Sequence, residues 1–380
     1  MRNVAIAGIG FTKVGEPWER NVKELFAEAA SMAFKDAAHQ EVEQLYVANM
    51  LGAHLQGQLN MGALMAEAIG RPGLPAARIE AGQASGGVAF HEGVKSVASG
   101  LNDWVLVGGV EKMSDLLPEA VTTALMGSEE QEYTAYTGIT KTGLSAILHR
   151  LYSQEYGATP EEIGWFAARS HDNAVGVAHA QYPFKLSIER VMASPMEADP
   201  IRMMECAAVA DGAAAILLAP AEKVDLGIEV AASAVATDQL SLARRKHPLT
   251  LEAVKKAAAK AYEIAKVKPK DIDVLEVTDD TTIDGVLSLE DLGFAEKGRG
   301  ANLVAQGYTA RAGEIPANNF GGLKARGNPV GATGLYQIAE TVIQLRGKAG
   351  ANQVPDAKIG MAQNMAGVGS TCSVVILRRV

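Results

Sequence analysis

The amino-acid sequence predicts an α/β fold in which one αβ unit is duplicated and a loop-rich insertion interrupts the first copy. Predicted strands and helices alternate along both halves of the chain, which is typical of a parallel or mixed sheet covered by helices on both faces. Residues 83–113 and 328–377 share one order of features, namely a turn of small residues, a buried helix and an apolar strand. The 39 glycines and the low aromatic content of 5% agree with a fold that has many tight strand-to-helix turns.

The first half alternates strands and helices up to residue 113. Short apolar runs indicate strands at 4–9, 43–50 and 102–108, and helical spacing of apolar residues indicates helices at 21–37, 62–69 and 88–99. The helix at 88–99 carries little charge, so we expect other elements to cover most of its surface. A turn of small residues at 81–87 opens this helix.

The regular pattern breaks between residues 114 and 199, where polar stretches alternate with helical pieces at 146–156 and 160–173. An interruption of this length in an αβ pattern is more often a lid or binding subdomain than part of the core sheet. We therefore divide the chain into three parts. They are an N-terminal half (1–113 with 200–223), an insertion (114–199) and a C-terminal half (224–380).

The second half is predicted to repeat the outline of the first. A turn and strand at 208–218 close the N-terminal half, after which strands are predicted at 228–236, 272–277, 358–361 and 372–377, and helices at 251–265 and 335–345. The repeat places a Gly-rich turn directly before the helix at 335–345. Such a turn brings backbone N–H groups close to an anion or a polarised carbonyl.

Charge, cysteine content and hydropathy exclude several classes of function. The formal net charge of −9 argues against a nucleic-acid partner, which requires a concentrated basic surface. Cys206 and Cys372 are far apart and show no metal-ligand spacing, so neither a disulfide framework nor a zinc site is expected, and we interpret both as core residues. The apolar run at 4–9 is too short for a signal peptide or a membrane span, and we expect a cytoplasmic protein.

The Gly-rich stretch at 318–334 carries a resemblance to a known family. Its order, Asn-Asn-Phe-Gly-Gly followed by Gly327-Asn328-Pro329 and Gly-Ala-Thr-Gly, resembles the thiolases, and especially their archaeal and sterol-carrier-protein-type branch. Segments at 4–10, 80–87, 107–113, 211–215, 290–294 and 363–369 are similar in the same order and spacing. The resemblance covers nearly the whole chain and implies the duplicated five-layer αβαβα architecture of that family.

Three positions depart from the pattern of the family. Thiolases carry a nucleophilic cysteine in a Cys-Ala-Ser-Gly elbow, where this chain has Gln83, and an amide cannot form an acyl-enzyme. The histidine of the Gly-His-Pro triplet is Asn328 here. The His-Asp motif after the middle strand is replaced by Thr278-Asp279-Asp280-Thr281. Thiolysis through a covalent cysteine is therefore not expected at this site.

Each candidate site residue has a functional and a structural interpretation. Gln83 either hydrogen-bonds a thioester or carboxylate or is a satisfied buried amide at a helix start. Asn328 either donates to an oxyanion or is a turn residue. The carboxylates Asp279, Asp280 and Asp284 either share a proton and act as acid or base, or belong to a solvated loop.

Further residues complete the predicted site. The backbone of Gly367, Val368 and Gly369 is expected to supply oxyanion donors, and Asn319 and Phe320 to bind substrate. The remaining polar side chains near possible ligand walls are more often structural, and these are Tyr308, Tyr336 and His171. No metal and no bound cofactor are expected.

The resemblance leads to three hypotheses of function. The first is an enzyme that cleaves a carbon–carbon bond of a coenzyme A thioester, by retro-aldol cleavage or decarboxylation, through an enolate held in an oxyanion hole. The second is a non-catalytic subunit that pairs with an active thiolase or with a small zinc-ribbon and OB-fold acyl-CoA-binding protein. The third is an acetyl-CoA acetyltransferase with an atypical site. A homodimer or heteromer is expected in each case.

Overall fold

The computed structural model describes residues 2–225 and 227–380. The strands are β1 (Val4–Phe11), β2 (Gln44–Ala48), β3 (Ala76–Ile79), β4 (Val105–Glu111), β5 (Met196–Ala198), β6 (Ile201–Arg202), β7 (Gly212–Pro220), β8 (Ile228–Thr237), β9 (Val274–Glu276), β10 (Ile359–Ala366) and β11 (Thr371–Arg379). Among these residues no helix is both long enough and apolar enough to cross a bilayer.

The helices lie mostly between these strands. They are α1 (Val22–Ala37), α2 (Gly52–Leu55), α3 (Met61–Ala68), α4 (Ser85–Ser99), α5 (Pro118–Leu125), α6 (Lys141–Tyr156), α7 (Pro160–Ala174), α8 (Ile188–Ala193), α9 (Glu252–Ala265), α10 (Thr282–Asp291), α11 (Gly300–Ala305), α12 (Gly322–Arg326) and α13 (Thr333–Leu345). Helix α1 starts at a capping box, in which the Asn21 side chain accepts from Glu24 N and the Glu24 carboxylate accepts from Asn21 N.

Hydrogen bonds join the long strands into one mixed sheet with the order β3-β2-β4-β7-β1-β8-β11-β10-β9. Strands β2, β3 and β4 are parallel, whereas β7 runs antiparallel to both β4 and β1. The two halves of the sheet meet where β1 pairs with β8, and in the part of the chain that the structure describes this junction consists of the pairs Ala5↔Glu229 and Ile6↔Ile228. The sheet therefore consists of an N-terminal half and a C-terminal half joined along a short seam.

Helices α4 and α13 lie between the two half-sheets. Helix α4 contacts β2, β4 and β7 of the first half and β8, β10 and β11 of the second, and α13 likewise contacts strands of both halves. Helix α1 packs on the outer face of the first half, and α9 packs on the outer face of the second. The resulting layers are helix, half-sheet, helix, half-sheet and helix, which is the predicted five-layer α/β architecture.

The insertion packs against the C-terminal half. Helix α7 contacts α10, α11 and α12, and α6 contacts α10. The ring of Phe166 in α7 lies against Gly285 in α10, where a Cβ atom would be 2.6 Å from the ring. The insertion is therefore in close contact with the helix that follows β9.

Three predicted elements need correction. The strand predicted at 102–108 is Val105–Glu111, because α4 ends at Gly100 with φ of +85° and the Asn102 side chain donates to Ser96 Oγ. The strand predicted at 358–361 continues to Ala366, since its polar residues are buried and hydrogen-bonded. The helix predicted at 146–156 starts five residues earlier, at Lys141.

Candidate functional site

The site forms where the two central helices begin side by side. A Cβ atom on Gly86, in the first turn of α4, would lie 3.0 Å from Gly331 O and 3.0 Å from Gly334 N at the start of α13. Only glycine permits this approach of two backbones. Because Gln83 and Asn328 precede these two helix starts, they are brought to the same place.

The elbow that carries Gln83 is fixed by local hydrogen bonds. Ser85 Oγ accepts from Ala81 N at 2.9 Å and donates to Gly82 O at 2.5 Å. Gly82 has φ of +58°, a conformation that favours glycine. These contacts hold Gln83 in a tight turn, with its side chain buried.

The carboxylate of Asp280 joins Gln83 and Asn328. Gln83 Nε2 donates to Asp280 Oδ2 at 3.3 Å, and Asn328 Nδ2 donates to Asp280 Oδ1 at 2.7 Å. Thr333 Oγ1 donates to Asn328 Oδ1 at 2.7 Å, which orients the amide so that its NH₂ group faces Asp280. The predicted site residues Gln83 and Asn328 therefore meet at the carboxylate of a third, Asp280, although all three are far apart in the sequence.

Lys141 in α6 supplies the positive charge of this cluster. Its Nζ contacts Asp280 Oδ2 and donates to Asp284 Oδ2 at 3.1 Å. Burial opposes the charge of Lys141, but the two carboxylates prevail and raise its pKa above the usual value. Burial likewise opposes ionisation of Asp280, yet the charge of Lys141 prevails and holds the pKa of Asp280 below its usual range. Both groups are therefore charged at neutral pH.

Lys141 carries no recognisable signal in the sequence. It lies 139 residues from Asp280, in the irregular insertion, and no spacing pattern connects the two residues. The helix predicted at 146–156 also excludes Lys141, which is the first residue of α6 in the structure.

Asp279 faces away from this cluster. Its carboxylate accepts from Ser170 Oγ at 3.0 Å and from Leu323 N at 2.6 Å, at the start of α12. A Cβ atom on Gly322 would lie 2.5 Å from Asp279 Oδ2, so glycine is required there. Burial raises the pKa of Asp279 to about 7 despite these donors. The predicted pairing of Asp279 and Asp280 around a shared proton is not found, because the two carboxylates bind different partners.

The alternative interpretation of these carboxylates as a solvated loop is wrong. Asp279 and Asp284 are each 1% exposed, and the Asp280 side chain is 13% exposed. Asp284 forms the capping box of α10 with Thr281 and also accepts from Ser145 Oγ at 3.2 Å. Thr278 is the first residue of the segment that replaces the His-Asp motif. Its backbone N–H donates to Gln363 Oε1 at 2.8 Å and so links the end of β9 to β10.

Asn319 and Phe320 make their contacts away from Asp280. The backbone N of Asn319 donates to Glu276 Oε1 at 3.2 Å, and its carbonyl accepts from Asn352 Nδ2 at 2.7 Å. Phe320 belongs to a buried apolar cluster with Ala174 and Val177. The structure does not bring these two predicted substrate-binding residues to the Asp280 cluster.

The turn at Gly367, Val368 and Gly369 lies against the insertion. Arg245 Nη1 donates to Val368 O at 2.6 Å, and a Cβ atom on Gly367 would overlap the carboxylate of Glu129. Glu129 is buried, and burial raises its pKa to about 7. Glu129 lies in a polar run of the insertion that resembles solvent-exposed chain, so no sequence pattern marks it as buried.

The segment that leads into β7 contacts the backbone of several site residues. Cys206 forms a bridge with Thr281, Ala207 N donates to Asp280 O at 2.8 Å, and Val209 forms a bridge with Asn328. Burial, together with the charges of Asp280 and Glu197, raises the pKa of the Cys206 thiol to about 12. Cys206 is therefore a poor nucleophile at neutral pH.

The remaining predicted residues are placed in the interior. Cys372 is buried in β11, where burial raises its pKa to about 12. His171 Nδ1 lies 3.0 Å from Phe184 O, and burial lowers its pKa to about 4. Tyr336 donates to Thr12 O at 3.0 Å, and Tyr308 is partly buried against the core of the C-terminal half. None of these four contributes to the Asp280 cluster.

A cavity of about 340 Å³ lies between the insertion and the segment after β8. It is bordered by Arg245, which also donates to Val368 O, and by apolar side chains that include Ile139, Leu144 and Leu242. Within the chain outside Met1 and Leu226, no three His, Cys, Asp or Glu side chains are grouped so as to hold a metal ion.

Comparisons with known proteins agree with this architecture. Residues 4–222 match the thiolase N-terminal domain, and residues 234–379 match the thiolase C-terminal domain-like family. The chain is 42% identical over 385 residues to an acetyl-CoA acetyltransferase of Methanothermobacter thermautotrophicus, with 100% of both chains covered. It is 31% identical over 410 residues to human sterol carrier protein 2, covering 100% of this chain and 72% of that protein.

A solved structure is similar over nearly the whole chain. The Ltp2-ChsH2(DUF35) aldolase superposes with a TM-score of 0.86 at 22% identity, covering 99% of this chain and 98% of that chain. This likeness concerns the fold. The two domain matches and the whole-length relatives confirm the resemblance drawn from the sequence, and the chain is a member of the thiolase family.

Proposed function

We propose that this chain cleaves a carbon–carbon bond of a coenzyme A thioester without a covalent cysteine intermediate. One observation carries the proposal. This chain has Gln83 at the elbow position where thiolases carry cysteine. The side-chain amides of Gln83 and Asn328 both donate to the carboxylate of Asp280. An amide cannot be acylated as a thiolate is, but it can bind a developing oxyanion.

The two amides retain donors for substrate. Each NH₂ group has two N–H bonds, and at both Gln83 and Asn328 one of them is directed to Asp280. The second N–H of each group is left to bind the oxygen of a thioester as it becomes an enolate. Asp280, held ionised by Lys141, fixes both amides in a donating orientation, and such preorganised donors stabilise enolates efficiently.

Two reactions fit these donors. Retro-aldol cleavage of a β-hydroxyacyl thioester and decarboxylation of a β-carboxyacyl thioester both pass through an enolate, and neither requires an acylated nucleophile. The name of the structural neighbour, an aldolase, supports the first reaction, and the names of the whole-length relatives support a coenzyme A thioester as the substrate. The apolar lining of the cavity between the insertion and the segment after β8, where Arg245 bonds Val368 O, suits an acyl group.

We also propose that the chain acts in an assembly. The structure that it resembles is named Ltp2-ChsH2(DUF35) aldolase, and this name supports a heteromer. The resemblance to thiolases implies a zinc-ribbon and OB-fold chain as the partner, and a homodimer is the simpler form. A purely supporting role as a partner of an active thiolase fits the loss of the nucleophile. A supporting role does not explain why the amides of Gln83 and Asn328 are held in fixed orientations while each keeps a second N–H that can bind a substrate.

The test incubates the purified chain, alone and with its co-purifying partner, with three kinds of thioester. Formation of a shorter acyl-CoA with a ketone or aldehyde from β-hydroxyacyl-CoA, or of carbon dioxide from β-carboxyacyl-CoA, supports the proposal. Thiolysis of 3-ketoacyl-CoA, or an acyl adduct on the intact chain by mass spectrometry, would restore the acetyltransferase alternative. Turnover only when an active thiolase is added would establish the supporting role.

A further inference from the structure

Glu129 is a buried carboxylate that has no partner in the described chain. Its side chain is 3% exposed, and neither Oε1 nor Oε2 accepts a hydrogen bond from any group in residues 2–225 and 227–380. Leaving a buried carboxylate unpaired is costly, and native structures rarely do so without a functional reason. The unpaired carboxylate of Glu129 therefore indicates that this group binds a ligand or takes part in a reaction.

Glu129 lies between the elbow and the Gly367 turn. A Cβ atom on Gly367 would overlap Glu129 Oε1, so the carboxylate touches the backbone of the turn. The preceding residue packs on the elbow, because a Cβ atom on Gly82 would lie 3.3 Å from Ser128 Cβ. Glu129 thus follows a residue that contacts the elbow next to Gln83, and the side-chain oxygen Oε1 of Gln83 likewise has no hydrogen-bond partner among the described residues.

The charges that surround Glu129 come from three elements. Lys141 of α6 and Arg245 of the segment after β8 favour its ionised form, and Asp284 of α10 disfavours it. Burial outweighs the two cations, so that the pKa of Glu129 is raised to about 7. A carboxyl group with this pKa exchanges a proton readily at neutral pH.

We propose that Glu129 is the catalytic residue that takes the proton from the substrate and returns it during carbon–carbon cleavage. This role rests on the proposed function. The other carboxylates of the region are less suited to it. Asp280 accepts from Gln83, Asn328 and Lys141, and Asp279 is engaged at the start of α12.

The retro-aldol reaction balances with Glu129 alone as the proton carrier. The Glu129 carboxylate removes the proton of the β-hydroxyl group, and the β-carbon becomes the carbonyl carbon of the departing ketone or aldehyde. The bond between the α- and β-carbons breaks, and its electron pair forms the thioester enolate beside Gln83 and Asn328. The protonated Glu129 then delivers the same proton to the α-carbon and yields the shorter acyl-CoA. No oxidant or further reactant is needed.

The test compares Glu129→Gln with Glu129→Asp and with a matched control, Glu132→Gln, at an exposed glutamate three residues away. Glu129→Gln is expected to lower the cleavage rate by about 10²- to 10⁴-fold and to remove the rise of kcat/KM with pH through about 7. Glu129→Asp should keep part of the rate and the pH limb. Glu132→Gln should match the wild-type chain.

Thermal unfolding provides a readout that separates catalysis from a structural role. A carboxyl group with a raised pKa in the folded state makes the protein less stable as pH rises through that pKa, because the buried group then becomes charged. The amide of Glu129→Gln stays neutral, so this variant should unfold at a higher temperature than wild type at pH 8. A variant that is slower but more stable supports the proposal. Lower stability at pH 8 together with slow turnover would overturn it.

The outcomes also separate this proposal from the proposed function. If the wild-type chain cleaves the thioester and Glu129→Gln cleaves it equally fast with the same pH profile, Glu129 has no catalytic role and the proposed function stands. If neither the wild-type chain nor its complex cleaves any β-hydroxy- or β-carboxyacyl-CoA, the proposed function fails, and the role of Glu129 fails with it.

Discussion

The surroundings of Asp280 and of Asp279 differ sharply although the two residues are neighbours at the end of β9. Asp280 lies beside the starts of the two central helices, where two amides and Lys141 bind its carboxylate. Asp279 faces α7 and α12, where Ser170 and a backbone N–H bind it. The pKa of Asp280 is below its usual range, and that of Asp279 is raised to about 7.

The difference shows that direct contact with a cation decides which of the two buried carboxylates stays ionised. Burial opposes ionisation of both groups, but Lys141 contacts Asp280 and not Asp279. Asp280 can therefore order the amides that we assign to substrate, whereas Asp279 positions the first turn of α12. The following predictions test this division of roles.

The largest effect is expected for Asp280→Asn. The substitution removes the charge that orients Gln83 and Asn328, and carbon–carbon cleavage should fall by about 10²- to 10³-fold. It also leaves Lys141 with Asp284 as its one remaining ion-pair partner, which should lower the free energy of unfolding by about 3 kcal/mol. Steady-state kinetics and urea unfolding measure the two effects.

A triple variant separates these effects. Removing the charges of Lys141 and of its second partner Asp284 as well, in Asp280→Asn with Lys141→Met and Asp284→Asn, leaves no unpaired charge of this cluster and should recover much of the stability but none of the activity. Asp279→Asn serves as the matched control and should retain most of the cleavage rate. Equal losses of activity in Asp279→Asn and Asp280→Asn would contradict the proposed difference between the two regions.

A smaller loss is expected when one amide is removed. Gln83→Ala and Asn328→Ala should each lower kcat by roughly 10²-fold, because one enolate donor is lost while the other remains. Gln83→Glu should be no better than the alanine variant, since it replaces a donor with a charge that Asp280 repels. Gln306→Ala, at an exposed amide, is the control. Full activity of Gln83→Ala would refute the assignment of this residue.

Asp279→Asn should change the pH dependence of stability. The folded pKa of about 7 exceeds the ordinary value of 3.8, so wild-type stability should fall as pH rises from about 4 to about 7. The amide removes this loss, and Asp279→Asn should exceed wild type at pH 8 by on the order of 2–4 kcal/mol. Unfolding by urea at pH 5 and pH 8 tests this, and a variant that is less stable than wild type at both values would contradict it.

Asp280→Asn should show the opposite dependence on pH. The pKa of Asp280 is depressed in the folded chain, so its contribution is present above the ordinary value and is lost as pH falls through the folded pKa. The variant should therefore be less stable than wild type at neutral pH and approach it in acid. Parallel profiles for the two variants would show that the carboxylates share one environment.

The smallest effect is expected at Cys206, which lies beside the Asp280 backbone. With a thiol pKa of about 12, only about one molecule in 10⁴ carries a thiolate at pH 8. Iodoacetamide should react slowly in the folded state, and Cys206→Ala should change kcat less than about twofold, as expected for a thiol outside the chemistry. Rapid alkylation accompanied by loss of turnover would instead place the thiol in the reaction.

The sequence was sufficient to predict most of the fold. Periodic apolar residues predicted α1, α4, α9 and α13 within a few residues, and the repeat of turn, helix and strand predicted the two half-sheets. The strand ends were less accurate. Gln363 and Asn364 are buried inside β10, where they bond Thr278 N and Gly87 N, and polar residues of this kind hide a strand from a search for apolar runs.

The candidate site was only partly predictable. Gln83 and Asn328 could be found because they stand at the positions of the cysteine and the histidine in the thiolase motifs that the chain resembles. Asp279 and Asp280 follow the end of β9, and their different partners depend on the packing of α6, α7 and α12 around this loop. Lys141 and Glu129 come from an insertion without a regular pattern, so their approach to the site depends on the packing of α6 and α7 against the helices of the C-terminal half.

The segment from Cys206 to Val209 is bridged to Thr281 and Asn328 and donates a hydrogen bond to the Asp280 carbonyl. This segment is also the return path from the insertion to β7. A graft that exchanges the insertion for that of another relative must therefore match the geometry of this return path as well as its length. Engineering of substrate range in this chain should keep residues 206–209 fixed and vary the outer helices of the insertion instead.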